Sequence, residues 1–226
     1  MSRGRWILAA VLAVIAVVSG AAALFMDDPK PTGGSPGTST STGAASTDGS
    51  AARSRADLER LTVAAWHPMK GYSREKFKHW ISQGDKCDTR ETVLKRDGRS
   101  VVTDNSCKAT AGKWLSRYEG KEFAVAGDMD IDHTVPLANA WKTGADTWTD
   151  QRRQEFANDL VNPQLLAVSA ATNRSKGDQD PSQWKPPARE AWCGYAKDWI
   201  TVKTVYGLNV TDTEKSALRD MLATCK

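Results

Sequence analysis

Gly127-Asp128-Met129-Asp130-Ile131-Asp132-His133-Thr134-Val135-Pro136-Leu137 is the stretch that decides the fold. Ile131, Thr134 and Val135 favour an extended chain, and Pro136 ends it. On a strand, Asp130 and Asp132 share one face, with His133 next to them. Two carboxylates beside an imidazole form an oxygen-rich place for a hard divalent ion together with a base. The second half of the pattern lies downstream. Gln164 to Val168 reads as a short strand, and Ser169 as the cap of a short helix that carries Asn173 and ends at Gly177. A helical stretch over residues 138–160 separates the two strands. Strand, strand and helix then make a metal-binding finger from one continuous segment.

Working outward, Ser54-x-x-Asp57 opens a helix whose Leu58, Leu61 and Ala65 share a face. Ser73 is expected to open another, with Phe77, Trp80 and Ile81 on its buried stripe. The period then changes to two. Residues 92–96 and 99–103 flank Asp97-Gly98, which reads as a two-residue hairpin turn. Such a hairpin would bring Cys87 and Cys107 together at its open end. Near the C-terminus, Pro187 starts a helix carrying Trp192, Tyr195, Ala196, Trp199 and Ile200, and Gly207 stops it. Thr211-x-x-Glu214 caps the next helix, and an antiparallel pair folded there would join Cys193 to Cys225. His67 and His79 lack acids at metal spacing and read as structural, while Trp80, Trp192 and Trp199 read as core.

The chain has 226 residues, 26% of them charged, which excludes a polytopic membrane protein. Arg3, Arg5 and Lys30 balance Asp27, Asp28 and Asp48, so the net charge of +4 belongs to the remainder. Arg3 and Arg5 precede an uncharged apolar run from Trp6 to Met26, with Ala21-Ala22-Ala23 near its end. That pattern is a cleaved export signal or an uncleaved membrane anchor covering residues 1–26. Residues 27–52, rich in Gly, Ser, Thr and Pro, are expected to be a flexible tether, leaving residues 53–226 as one domain. In both cases the domain is extracytoplasmic, either secreted or held at a membrane through residues 6–26, where disulfides persist.

The residues Asp130-Ile131-Asp132-His133-Thr134-Val135-Pro136-Leu137, Asn162 and Asn173-Arg174-Ser175-Lys176-Gly177-Asp178 resemble the HNH, or ββα-metal, nucleases. The likeness is nearest to exported HNH-family proteins related to the C-terminal domain of GmrSD-type restriction endonucleases. A similar D-x-D-H-x-V-P stretch and N-R-x-K segment occur in the HNH domain of RNA-guided CRISPR nucleases. The finger likeness covers residues 128–178, and the wider one, including Cys87-Asp88-Thr89-Arg90, spans most of 70–226.

The resemblance implies an α+β fold: a ββα-metal core, an added hairpin, flanking helices and two disulfides. It implies His133 as general base, Asn162 as the residue that fixes the loop aiming His133, and Arg90 as a phosphate clamp. Asp132 and Asn173 would hold one divalent ion, with Asp130 as a further, water-mediated candidate. Magnesium suits this oxygen donor set, with manganese or calcium as alternatives; an amide at position 173, where many members carry His, argues against zinc. Arg174 and Lys176 would touch the nucleic-acid backbone. The expected partner is nucleic acid, mainly DNA and secondarily RNA, cut with little sequence specificity, and no obligate protein partner. The alternative is a non-catalytic tethered module that binds metal and nucleic acid outside the cell.

Overall fold

The computed structural model describes residues 43–226, so the export signal or anchor and the first part of the tether lie outside the described residues. Helix α1 spans Gly43–Arg60 and therefore begins ten residues before the boundary expected at Arg53. Ala51, Ser54, Leu58 and Leu61 are buried, so its second half has a core to pack on. Among the described residues, no helix is long and apolar enough to cross a membrane.

The segment after α1 departs from expectation. Ser73 opens only a single 3-10 turn, Arg74–Lys76. Phe77 is buried as expected, but the chain leaves the helical path and Trp80 adopts φ 58°. Strands β1 (Ser82–Gly84) and β2 (Cys87–Asp88) form a short antiparallel pair.

The expected hairpin about Asp97-Gly98 is not formed. Residues Thr89–Asp97 are helix α2. Asp88 caps it by accepting from the Glu91 N–H, and Val93 and Leu94 are fully buried. Trp114 Nε1 donates to the Leu94 carbonyl, which also accepts from the Gly98 N–H that closes the helix. Gly98 is there because Trp114 approaches it: a Cβ would lie 2.5 Å from Trp114 Nε1. Asp97 accepts from Ala167 N–H and Arg96 donates to the Leu165 carbonyl, so the end of α2 covers a strand edge.

The real hairpin joins β3 (Gly98–Thr103) to β4 (Ala109–Ser116), with β5 (Lys121–Phe123) completing a three-stranded sheet. Cys87 still bonds Cys107, with Cα atoms 5.1 Å apart, but it links the start of α2 to the β3–β4 turn.

Next come β6 (Met129–His133), α3 (Leu137–Lys142), α4 (Asp150–Ala157), β7 (Leu165–Ser169) and α5 (Ala170–Lys176). β6 and β7 pair antiparallel in the register Met129↔Ser169 to His133↔Leu165. Ser169 caps α5 by accepting from Thr172 N–H, and Gly177 closes it at φ 51°. This matches the strand, strand, helix order read from the sequence, with helices α3 and α4 between the strands.

Helix α6 (Trp192–Tyr206) starts five residues after Pro187, and Gly207 ends it in the left-handed conformation. Thr211 caps α7 (Asp212–Leu222), while the Glu214 side chain turns inward instead of back to the cap. Cys193 bonds Cys225, as the antiparallel helix pair requires. One apolar core gathers Leu58, Phe156, Trp199, Ile200 and Met221 from the helices; a second gathers Val93, Trp114, Met129, Ile131 and Ala167. The β6–β7 pair lies between them, contributing Val168 to the first and Ile131 to the second.

Candidate active site

β6 ends on a polar cluster. Asp132 and His133 are each only 5% exposed, at the point where Pro136 stops the strand and Gln164 seals its end through bonds to Val135 N–H and C=O. The His133 Nε2 lies 3.0 Å from the Ala157 carbonyl oxygen. A carbonyl can only accept, so Nε2 carries the proton and Nδ1 keeps its lone pair. Nδ1 has no hydrogen-bond partner among the described residues. Burial, seconded by Arg74, His79 and Lys176, pushes the imidazole down to about 3 against the pull of the Ala157 bond. The ring is therefore neutral at physiological pH.

The Lys176 ammonium is completely buried and lies 2.8 Å from each Asp132 carboxylate oxygen and from the His133 carbonyl oxygen. Tyr118 OH donates to Asp132 Oδ2 at 2.6 Å. Burial holds the Tyr118 phenol well above its ordinary range, aided by the Asp132 charge, so it stays a donor. Burial also raises Asp132 and lowers Lys176, and each draws the other back toward its charged form. Lys176 is thus no surface contact for a phosphate. It anchors the end of β6.

Asn173 Nδ2 donates to Asp130 Oδ2 at 3.2 Å, so residues far apart in sequence meet through β6 and α5. Arg74, Asp132, His133, Asn173, Arg174 and Asp178 face a common cavity of about 210 Å³. Arg74 and Arg174 are exposed and have no acidic partner within 4 Å among the described residues. Asn162 donates to Asp159, whose carboxylate also accepts from Val161 N–H, Asn162 N–H and Tyr206 OH. These bonds order the loop that follows Ala157. Arg90 is not at the cavity. It pairs with Glu91 at 2.7 Å and donates to the Met129 carbonyl, which ties α2 to the first residue of β6.

The donor set fits a hard divalent cation. Asp132 uses three of its four lone-pair sites and keeps one on Oδ1, while Asn173 Oδ1 and Asp130 Oδ1 are uncommitted. Among the described residues no group of three or more His, Cys, Asp or Glu side chains could close around an ion, so water and substrate would complete the shell.

Residues 84–221 match the family described as GmrSD restriction endonucleases, C-terminal domain. The chain belongs to that family. It is also 56% identical over 176 residues to a protein of Arthroderma benhamiae described as an uncharacterized secreted protein, covering 78% of this chain and 86% of the relative. No solved structure matches.

Three members of the cluster escaped the sequence reading. Tyr118 lies in a turn with no motif around it. Arg74 and Trp80 precede the residues that match the family, and no spacing links them to His133. Trp80, expected as core, packs against the second apolar core and in addition stacks on the His133 ring, while His79, expected as structural, stands edge-on to that ring.

Proposed function

We propose that the protein is a secreted, divalent-metal-dependent endonuclease with a ββα-metal finger, hydrolysing phosphodiester bonds of DNA and secondarily RNA. One observation carries this reading: a neutral histidine with one nitrogen fixed to a carbonyl and the other uncommitted lines a cavity together with Asp132, Asn173 and Arg174. His133 Nδ1 takes the proton of the attacking water, while Nε2–H stays on Ala157 and holds the ring in place. Arg74 and Arg174 bind the non-bridging phosphate oxygens. Asp132 and Asn173 would hold the cation, with Asp130 reaching it through water. When bound, it supplies positive charge at the phosphate and at the departing 3′ oxygen. Lys176 neutralises part of the acid charge and fixes the backbone of His133, and Asn162 orders the loop that presents Ala157. The net charge of +4 gives backbone attraction that weakens as salt rises. Family membership and the secreted relative support the activity and its extracytoplasmic setting.

The test is nicking of supercoiled plasmid, and cleavage of an RNA transcript, across titrations of Mg2+, Mn2+ and Ca2+ with a chelator control. Cleavage of DNA that appears with a divalent ion and disappears with chelator is expected. No cleavage of either polymer with any ion would leave the tethered binding module as the better reading.

A further inference from the structure

We infer that Trp80, clamped in place by Asn158, is a positioning residue for His133, an inference that rests on the nuclease reading. The indole stacks on the imidazole with ring centroids 5.7 Å apart and planes at 27°. His79 stands edge-on to both rings, 5.1 Å from Trp80 and 6.1 Å from His133, and is itself fixed by a 2.7 Å contact between its Nδ1 and the Phe77 carbonyl. With Ala157 at Nε2 and Lys176 on the backbone carbonyl, the imidazole is restrained on every side that the cavity does not use.

Trp80 reaches this position at a conformational cost. A bulky residue at φ 58° is strained and persists only where its surroundings over-determine it. Here the over-determination is explicit. Asn158 Nδ2 donates to Lys78 O at 2.8 Å and to Gln154 O at 2.7 Å. Its Oδ1 accepts from Ile81 N–H at 3.2 Å and from Thr89 Oγ1–H at 2.7 Å. The chain is therefore gripped on both sides of Trp80 by one buried amide. That amide directly follows Ala157, whose carbonyl holds His133. A single side chain thus sets both the stacking partner and the hydrogen-bond partner of the imidazole. Trp80 also packs against the second apolar core, so the strained indole serves both that contact and the imidazole, whereas glycine would sit there without strain but with neither.

Trp80→Gly and Trp80→Phe separate positioning from packing. Glycine relieves the backbone and removes the stack; phenylalanine keeps a flat ring. In plasmid nicking, Trp80→Gly should lower kcat about 10–100-fold, as expected for a misplaced base, with KM within about twofold and the protein folded. Trp80→Phe should recover most of the rate. In substrate-free protein, 15N NMR of the His133 ring should show one Nε2–H tautomer in wild type and an averaged ring in Trp80→Gly. Wild-type kcat together with an unchanged ring spectrum in Trp80→Gly overturns the inference. A ring that loosens in a protein whose wild type cuts no nucleic acid upholds the positioning and sinks the nuclease reading instead.

Discussion

Among the described residues two lysines are completely buried, and both ammonium groups lie near the Trp199 ring, at 6.0 Å for Lys176 and 5.7 Å for Lys203. Their partners differ. Lys203 binds Asn139 Oδ1, Thr143 Oγ1, the Asn209 carbonyl and Glu214, joining α3, α6 and α7 with no contact to a residue of the candidate site. Lys176 binds Asp132 and the backbone of His133, so its counter-ion belongs to the candidate site. The same buried charge serves architecture in one place and holds the strand end of the candidate site in the other. The fold affords two such ammonium groups because every proton on each has an acceptor.

Substitution of each lysine by methionine sharpens that difference. Either change leaves a buried carboxylate without its counter-charge and should cost about 3–5 kcal/mol, read by chemical denaturation. Lys176→Met should also lose cleavage about 100-fold, because the His133 backbone is released. Millimolar Mg2+ should raise its Tm more than that of wild type, since the freed Asp132 attracts the ion. Lys203→Met, measured at a temperature where it is folded, should keep wild-type kcat and show no such Mg2+ response. Equal behaviour of the two variants would erase the distinction.

A somewhat smaller effect is expected at the helix pair that houses Lys203. Replacing Cys193 and Cys225 together by serine should lower stability by about 2–4 kcal/mol, seen as a drop in Tm, with kcat retained below the transition.

The smallest effect concerns a half-buried acid that makes no salt bridge among the described residues. Asp198 on α6 is pushed up to about 6 by burial, which Arg117 and Lys197 only partly oppose. In the unfolded chain its carboxyl titrates near 4. Stability is therefore lost as pH rises between these values, and the penalty is fully present above pH 6. Asp198→Asn should raise stability by about 1–3 kcal/mol at pH 7.5 and leave it unchanged at pH 4, as thermal melts at the two pH values would show. A gain that is equal at both pH values would point to packing, not charge.

Much of the finger was legible because its signals are local. Ile131 to Pro136 specifies a strand that stops, Ser169 caps, Gly177 ends, and the register then follows from the pairing. Both disulfides were also legible, although Cys87–Cys107 was reached through a hairpin that does not exist. Asp97-Gly98 looked like a turn because the requirement for glycine there comes from Trp114, sixteen residues away in the chain, and no local pattern records that approach. The segment around Trp80 failed for the same reason. Its helical periodicity is overridden by the two hydrogen bonds that Asn158 makes with its backbone, donated to Lys78 C=O and accepted from Ile81 N–H. In the sequence Lys176 reads as a contact to the nucleic-acid backbone and Arg90 as a phosphate clamp. Only tertiary placement reveals that one is a buried anchor and the other a tie between α2 and β6.

The most direct measurement compares wild type with His133→Ala in Mg2+-dependent plasmid nicking, with folding of both checked by thermal melts. Loss of about 10²–10⁴-fold in kcat by a folded His133→Ala protein is the expected result. Undiminished cleavage by that folded variant would contradict the assignment of His133 as the base, and with it the catalytic role of the cavity.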